Sequence, residues 1–237
     1  MNYLKKWWIP CVFSIASILT GCGGGGGGNT GTVASSYSFN LQSMTAKLFT
    51  TPRVSYFAVT GSNAAGSTIT GSGKVTVGTV TQGVFEGQNA FQLTSTVTGT
   101  LARDGMTYPL AQTTTSWSDT NYVPLGSDGD EYVVITGKPV LPTAVKVGDT
   151  GVLYLANRYR SNLKTTLLGT LTVSYVIEAD TANSVLLTLV RSDKDTSHQE
   201  TQQLTSQFRV QSDQSSTPVK ETLLDSSGSY LYLTYSN

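Results

Sequence analysis

Val54-Ser55-Tyr56-Phe57-Ala58-Val59-Thr60, closed by Gly61-Ser62-Asn63, decides the fold class. Seven residues dominated by β-branched and aromatic side chains, ended by turn formers, read as a β-strand. The same reading extends C-terminally. Ile69 to Val80 is a second strand, built on alternating Thr, Val and Gly. Further strands are expected over Ala90 to Ala102, Thr107 to Ser118, Glu131 to Thr136, Gly151 to Tyr159, Gly169 to Glu178 and Ser184 to Ser192. The series ends with Glu200 to Val210, Val219 to Leu224 and Tyr230 to Tyr235. Turn chemistry separates them at Arg103-Asp104-Gly105, Gly126-Ser127-Asp128-Gly129, Gly148-Asp149 and Ser226-Ser227-Gly228. About eleven short strands with such punctuation define an all-β chain, an antiparallel sandwich, barrel or strongly curved sheet.

Upstream of this run the pattern is mixed. Tyr37, Phe39 and Leu41 alternate like a strand, whereas Leu41, Met44 and Leu48 share one helical face, so both readings stand for Tyr37 to Thr51. Downstream there is an echo. Gly71 to Val77 resembles Gly169 to Tyr175, and Gln112 to Trp117 resembles Gln203 to Phe208, in the same order. A duplication would divide the domain into halves at 53–140 and 143–237, each a meander of about four strands. Threonine-rich strands also resemble one another through composition alone.

The N-terminus is of another kind. Lys5 and Lys6 precede the apolar stretch Ile9 to Leu19, the order of an export signal. That stretch is too short to cross a bilayer, which takes about 20 apolar residues. It ends in Leu19-Thr20-Gly21-Cys22, followed by the glycine run Gly23 to Gly28. These residues resemble the lipobox of bacterial lipoproteins. The resemblance implies a signal peptide over 1–21, cleavage between Gly21 and Cys22, and acylation of Cys22 by fatty acyl chains such as palmitate. Residues 22–36 then form a Gly/Ser-rich tether, because glycines have no side chains to pack, and 37–237 form a single β-rich domain. Two or more acyl chains hold a protein stably in a membrane, where one chain does not. The family's inner-membrane retention signal is an Asp after the modified cysteine; Gly23 stands there, which implies the outer membrane. With Asn121-Tyr122-Val123-Pro124-Leu125-Gly126 in addition, the chain resembles the β-rich outer-membrane lipoproteins of proteobacteria. That resemblance carries no activity with it.

Composition narrows the chemistry. Cys11 lies in the signal and Cys22 is consumed by lipid, so the mature chain is expected to contain no disulfide. Fifteen basic and fifteen acidic residues cancel, and no basic run forms a nucleic-acid footprint. Arg158, Arg160 and Lys164 read as the decoration of a solvated hairpin. His198 is the only histidine, which rules out the usual zinc ligand sets from one chain and leaves it as the sole candidate base of a Ser-His-Asp triad. It sits in a polar turn-like stretch, Asp193 to Glu200, so no catalytic residue and no cofactor are assigned. Asp104, Asp119, Asp149, Asp180 and Asp225 read as turn formers. Asp128, Asp130 and Glu131 form the one weak calcium candidate, short of the six to eight oxygens that ion takes. Tyr230 and Tyr232 share one face of the last strand, with Leu231, Leu233 and Tyr235 on the other. Trp117, Tyr122, Tyr132, Tyr154, Tyr159 and Tyr175 read as core or edge residues.

The expected function is therefore a non-enzymatic, lipid-anchored envelope module, structural or binding an envelope protein, a glycan or its own copies. The alternative is a carrier of a hydrophobic ligand such as lipid, similar to periplasmic lipoprotein carriers whose curved sheet folds around acyl chains.

Overall fold

The computed structural model describes residues 37–236, so the lipobox, the cleavage site and the tether lie outside the described residues. One helix, α1 (Leu41–Thr50), precedes thirteen strands. They are β1 (Arg53–Ser62), β2 (Thr68–Val77), β3 (Thr81–Phe85), β4 (Gln88–Arg103), β5 (Met106–Ser118), β6 (Pro124–Asp128) and β7 (Tyr132–Thr136). After the longest connection come β8 (Thr150–Tyr159), β9 (Leu167–Thr181), β10 (Ser184–Lys194), β11 (Glu200–Gln211), β12 (Ser216–Asp225) and β13 (Tyr230–Ser236). All neighbours pair antiparallel. β1 pairs with β13 on one side and β2 on the other, and β2 pairs with β4, so twelve strands close into a barrel and β3 is an extra strand on β4. Of the architectures open from the sequence, the barrel is the one formed.

Alternation sorts the wall into two faces. Phe57 and Val59 on β1, Val97 and Leu101 on β4, Val173 and Ile177 on β9, and Leu187 and Leu189 on β10 are buried inward. Thr60, Thr70, Thr98 and Thr100 between and beside them are exposed. The inward face is apolar, whereas the lumen of a transmembrane barrel is polar; the outward face mixes threonines with exposed Val54, Tyr56, Val152, Leu155, Tyr230 and Tyr232. The inward residues gather into two apolar lobes. One is built on β7 to β11, the other mainly on β1, β2, β4, β5, β12 and β13.

α1 resolves the ambiguous lead-in as a helix. Asn40 caps it by accepting the Ser43 N–H at 2.9 Å, and Pro52 follows its C-terminal cap residue Thr51. Leu41, Met44, Leu48 and Phe49 are buried, at about 1.5–3 kcal/mol each. The first three join one lobe and Phe49 the other. The helix lies across one end of the barrel. Leu41 N–H donates to Pro142 in the β7–β8 connection, Phe39 bridges Val145, and Lys47 donates to the Asp213 carbonyl in the β11–β12 turn.

Where β2 meets β4 the wall is pressed together. A Cβ on Gly99 would lie 2.3 Å from the Ser72 carbonyl oxygen and 2.7 Å from Gly73 Cα, so this cross-strand glycine pair is a steric requirement. At the far end several hairpins share one construction. Asn63, Asp195 and Asp225 each accept backbone N–H groups two and four residues on, and the residue three on has positive φ: Gly66, His198 and Gly228. This is a type I turn followed by a left-handed residue.

Four expectations are corrected. Gly126 to Asp128 is not a reversal but strand β6; Gly126 lies under the Phe85 ring, which a Cβ would meet at 2.6 Å. Asp180 is inside β9 and paired with Arg209, not turning the chain. Arg158 is not solvated but buried inside the wall, although Arg160 is exposed and Lys164 pairs with Glu86. Finally, Thr114 points inward and is buried whereas its echo, Thr205, belongs to the face opposite Leu204 and Ser206, so the second echo is out of phase by one residue.

Candidate functional site

Between the two apolar lobes runs a polar seam. On β10 the inward sequence Leu187, Leu189, Arg191, Asp193 turns from apolar to charged toward the end remote from α1. Asp193, 1% exposed, accepts from Arg191 Nε at 2.5 Å and Nη2 at 2.7 Å. Arg158 on β8 donates to both oxygens of Glu131, at 2.7 and 2.8 Å, and its Nε lies 3.5 Å from Asp193. Burial disfavours the Arg158 charge, but the Glu131 bonds and the Asp193 charge outweigh it and raise its pKa. Two guanidinium groups and two carboxylates thus form a neutral buried quartet. Arg191 Nη2 links its halves, 3.9 Å from Glu131.

Arg191 also borders a cavity of about 40 Å³ that extends toward α1. Thr45 and Phe49 of α1, Ser116 and Ser118 of β5, Tyr122, Ser127 of β6 and Tyr154 of β8 are among its lining residues. Ser118 is 1% exposed and its Oγ has no hydrogen-bond partner. Further along the same wall the inward Ser95 and Thr114, paired across β4 and β5, also have buried hydroxyls without a side-chain or backbone partner. Burial raises the Tyr154 pKa strongly, so its phenol stays protonated. Phe49, Tyr122 and Phe91 pack as an aromatic group at this side, with ring centroids 6.0 and 5.2 Å apart.

The outer wall carries two further features. The β3–β4 hairpin folds over β5 to β7, where Phe85 packs on Trp117 and Tyr132 with centroids 5.6 Å away in each case. Tyr132 donates to Glu86 at 2.7 Å, and Lys164 pairs with the same carboxylate. These bonds hold the Glu86 carboxyl below its usual range. Elsewhere Tyr56, Tyr230 and Tyr232 are exposed on the outward faces of β1 and β13, while Leu231 and Leu233 are buried, as alternation requires.

The residues singled out from sequence do not converge. His198 sits in an exposed turn, its N–H donating to the Asp195 carbonyl. Asp128 is exposed, Asp130 accepts from Gln112 at 3.1 Å, and the Glu131 carboxylate is taken by Arg158. Among the described residues no three His, Cys, Asp or Glu side chains are grouped to hold a metal. Asp119, Asp149 and Asp225 do accept turn N–H groups, and Asp104 turns a hairpin with positive φ. The quartet and the cavity were missed, though period two carries a signal for them: Tyr154, Ala156 and Arg158 share parity, as do Leu189, Arg191 and Asp193.

The class that geometry defines is a closed antiparallel barrel with one helix across one end. Comparison with protein-family models, curated proteins and solved structures finds no match.

Proposed function

We propose that the chain is a lipid-anchored, non-enzymatic module of the bacterial envelope, held in the outer membrane through Cys22, that acts by binding. The observation carrying the binding role is the interior. Two apolar lobes and α1 pack the barrel interior, and the cavity beside Arg191 measures about 40 Å³, close to the share of a single water molecule. An acyl chain does not fit that space with α1 in place, which favours the binding module over the lipid carrier. His198 as a solvated turn residue, rather than the base of a triad, is consistent with this reading. The experiment is fatty-acid labelling of the wild type and of Cys22→Ala, with native mass spectrometry of protein purified from its host. Labelled wild type, an unlabelled and unprocessed Cys22→Ala precursor, and no co-purified lipid beyond the anchor are expected. Normal maturation of the variant would overturn the anchor, and a stoichiometric second lipid would restore the carrier.

A further inference from the structure

The outward face of β12, β13, β1 and β2 combines exposed aromatic side chains with charge of one sign. Val54 and Tyr56 on β1, Tyr230 and Tyr232 on β13 and Leu224 on β12 are exposed. Register makes them one stripe: Leu224 lies opposite Tyr230, Tyr232 lies opposite Thr60, and Ala58 and Tyr56 continue the same face of β1. The Tyr230 and Tyr232 ring centroids are 5.3 Å apart. β1, β2 and β13 contain no Asp or Glu, and of the two on β12 Glu221 is buried inside while Asp225 accepts turn N–H groups. Lys74, opposite Tyr56, and Lys220, opposite Thr234, are exposed. Neither is ion-paired among the described residues. Acids and bases cancel over the whole chain, and exposed carboxylates such as Glu178 and Glu200 stand on β9 and β11 instead.

Tyrosine is enriched where a membrane meets water, because its ring is apolar and its hydroxyl is wet. Lysines without neighbouring carboxylates add attraction for anionic headgroups. Position agrees with this chemistry. β1 follows α1 after Thr51 and Pro52, so the stripe starts at the end of the barrel where the chain from Cys22 arrives. Cys22 lies fifteen residues before Tyr37, a stretch that spans at most about 50 Å. The ten residues of β1 extend about 33 Å. An acyl anchor at Cys22 therefore leaves enough chain for the barrel to lie on its side.

We propose that the flank of β12, β13, β1 and β2 lies against an anionic lipid surface, with Tyr56, Tyr230 and Tyr232 in the headgroup layer and Lys74 and Lys220 meeting its phosphates. The inference rests on the anchored reading and deepens it: the acyl chains hold the protein at the membrane, and the flank sets its orientation there.

The test is hydroxyl-radical footprinting of mature protein purified from its host and reconstituted on vesicles of phosphatidylcholine, alone or mixed with phosphatidylglycerol. Flotation reports the anchor, and tyrosine oxidation reports the flank. Tyr56, Tyr230 and Tyr232 should oxidise several-fold more slowly on the anionic vesicles than on the neutral ones. Leu155 on β8, exposed and six strands away in either direction, should keep its rate. Each lysine at an anionic surface contributes about a fivefold factor, so Lys74→Gln with Lys220→Gln should lower the ratio of docked to undocked protein about 25-fold and restore oxidation. Both positions are exposed, so Tm should stay unchanged. Raised salt should act on the wild type in the same direction without any substitution. Flotation without tyrosine protection would overturn the inference and leave the anchor standing, as would protection equal on both vesicles or strongest at Leu155. Failure to float, with Cys22 unacylated, would remove the anchor and this inference together. Protection by purified peptidoglycan in place of vesicles would overturn it in favour of a glycan.

Discussion

Asp193→Asn separates the buried quartet's charge balance from its shape. The asparagine keeps the size of Asp193 but removes the negative charge that faces Arg191 at 2.5 and 2.7 Å and Arg158 at 3.5 Å. Two guanidinium groups then share Glu131 alone, and one positive charge is left uncompensated inside the wall. Removing one partner of a buried pair costs about 3–5 kcal/mol. For a domain of this size about 1 kcal/mol moves Tm by roughly 2–4 °C, so a fall of about 6–20 °C is expected. Lys138→Gln, an exposed control, should stay within about 0.5 kcal/mol. Urea unfolding followed by circular dichroism measures both, with unchanged m showing that the folded state is still the barrel. A second variant checks the logic: Arg191→Met with Asp193→Leu removes a whole pair and should recover much of the loss, since apolar replacement of buried pairs is often neutral or better. A loss within about 0.5 kcal/mol for Asp193→Asn would refute the reasoning, because a surface substitution does as much.

His198→Gly should stabilise the barrel by about 1 kcal/mol, since His198 occupies a left-handed position, φ 63°, held by glycine in the two matching turns; a destabilised variant in a urea titration would contradict that turn role. Gly99→Val should lower stability by more than about 3 kcal/mol, because its Cβ would meet backbone rather than a movable side chain, and an unchanged urea midpoint would disprove the contact. Stability should also fall in acid. Arg209 holds the Asp180 carboxyl below its ordinary range, and Lys164 with Tyr132 does the same for Glu86. Depressed folded-state values mean the unfolded chain takes up protons first, so stability is full above about pH 4.5 and is lost as pH drops through the folded-state values. A Tm series across that window checks the sign, and Asp180→Asn should flatten part of the decline.

The all-β class and eleven of the strands were legible because their side chains obey period two over long runs, as in Leu171, Val173, Tyr175 and Ile177. β3 and β6 were not, since each is five residues long and interrupted by Gly83 or Gly126, whose lack of a side chain serves Trp117 and Phe85 packing rather than turning. The quartet was hidden for a different reason. Arg158 stands one residue from the end of β8, and charge beside a turn reads as solvated unless its partners are known; Glu131 and Asp193 are 27 and 35 positions away. Pairing of that kind is set by barrel closure, which composition and spacing along one strand do not encode.

Closure itself joins the first strand to the last, with Phe57 opposite Tyr235 and Val59 opposite Leu233. During synthesis β1 therefore waits for nearly the whole chain, and until residues 230–236 emerge the growing sheet has raw edges at β1 and at its newest strand. Such edges pair readily with other chains. Long-range pairing of this kind also slows folding, because the loop must close before its contacts repay the entropy. Truncation by a few C-terminal residues should thus act less like trimming a tail than like unzipping the wall, and the half-life of the nascent chain, more than its final stability, becomes the quantity on which its yield depends.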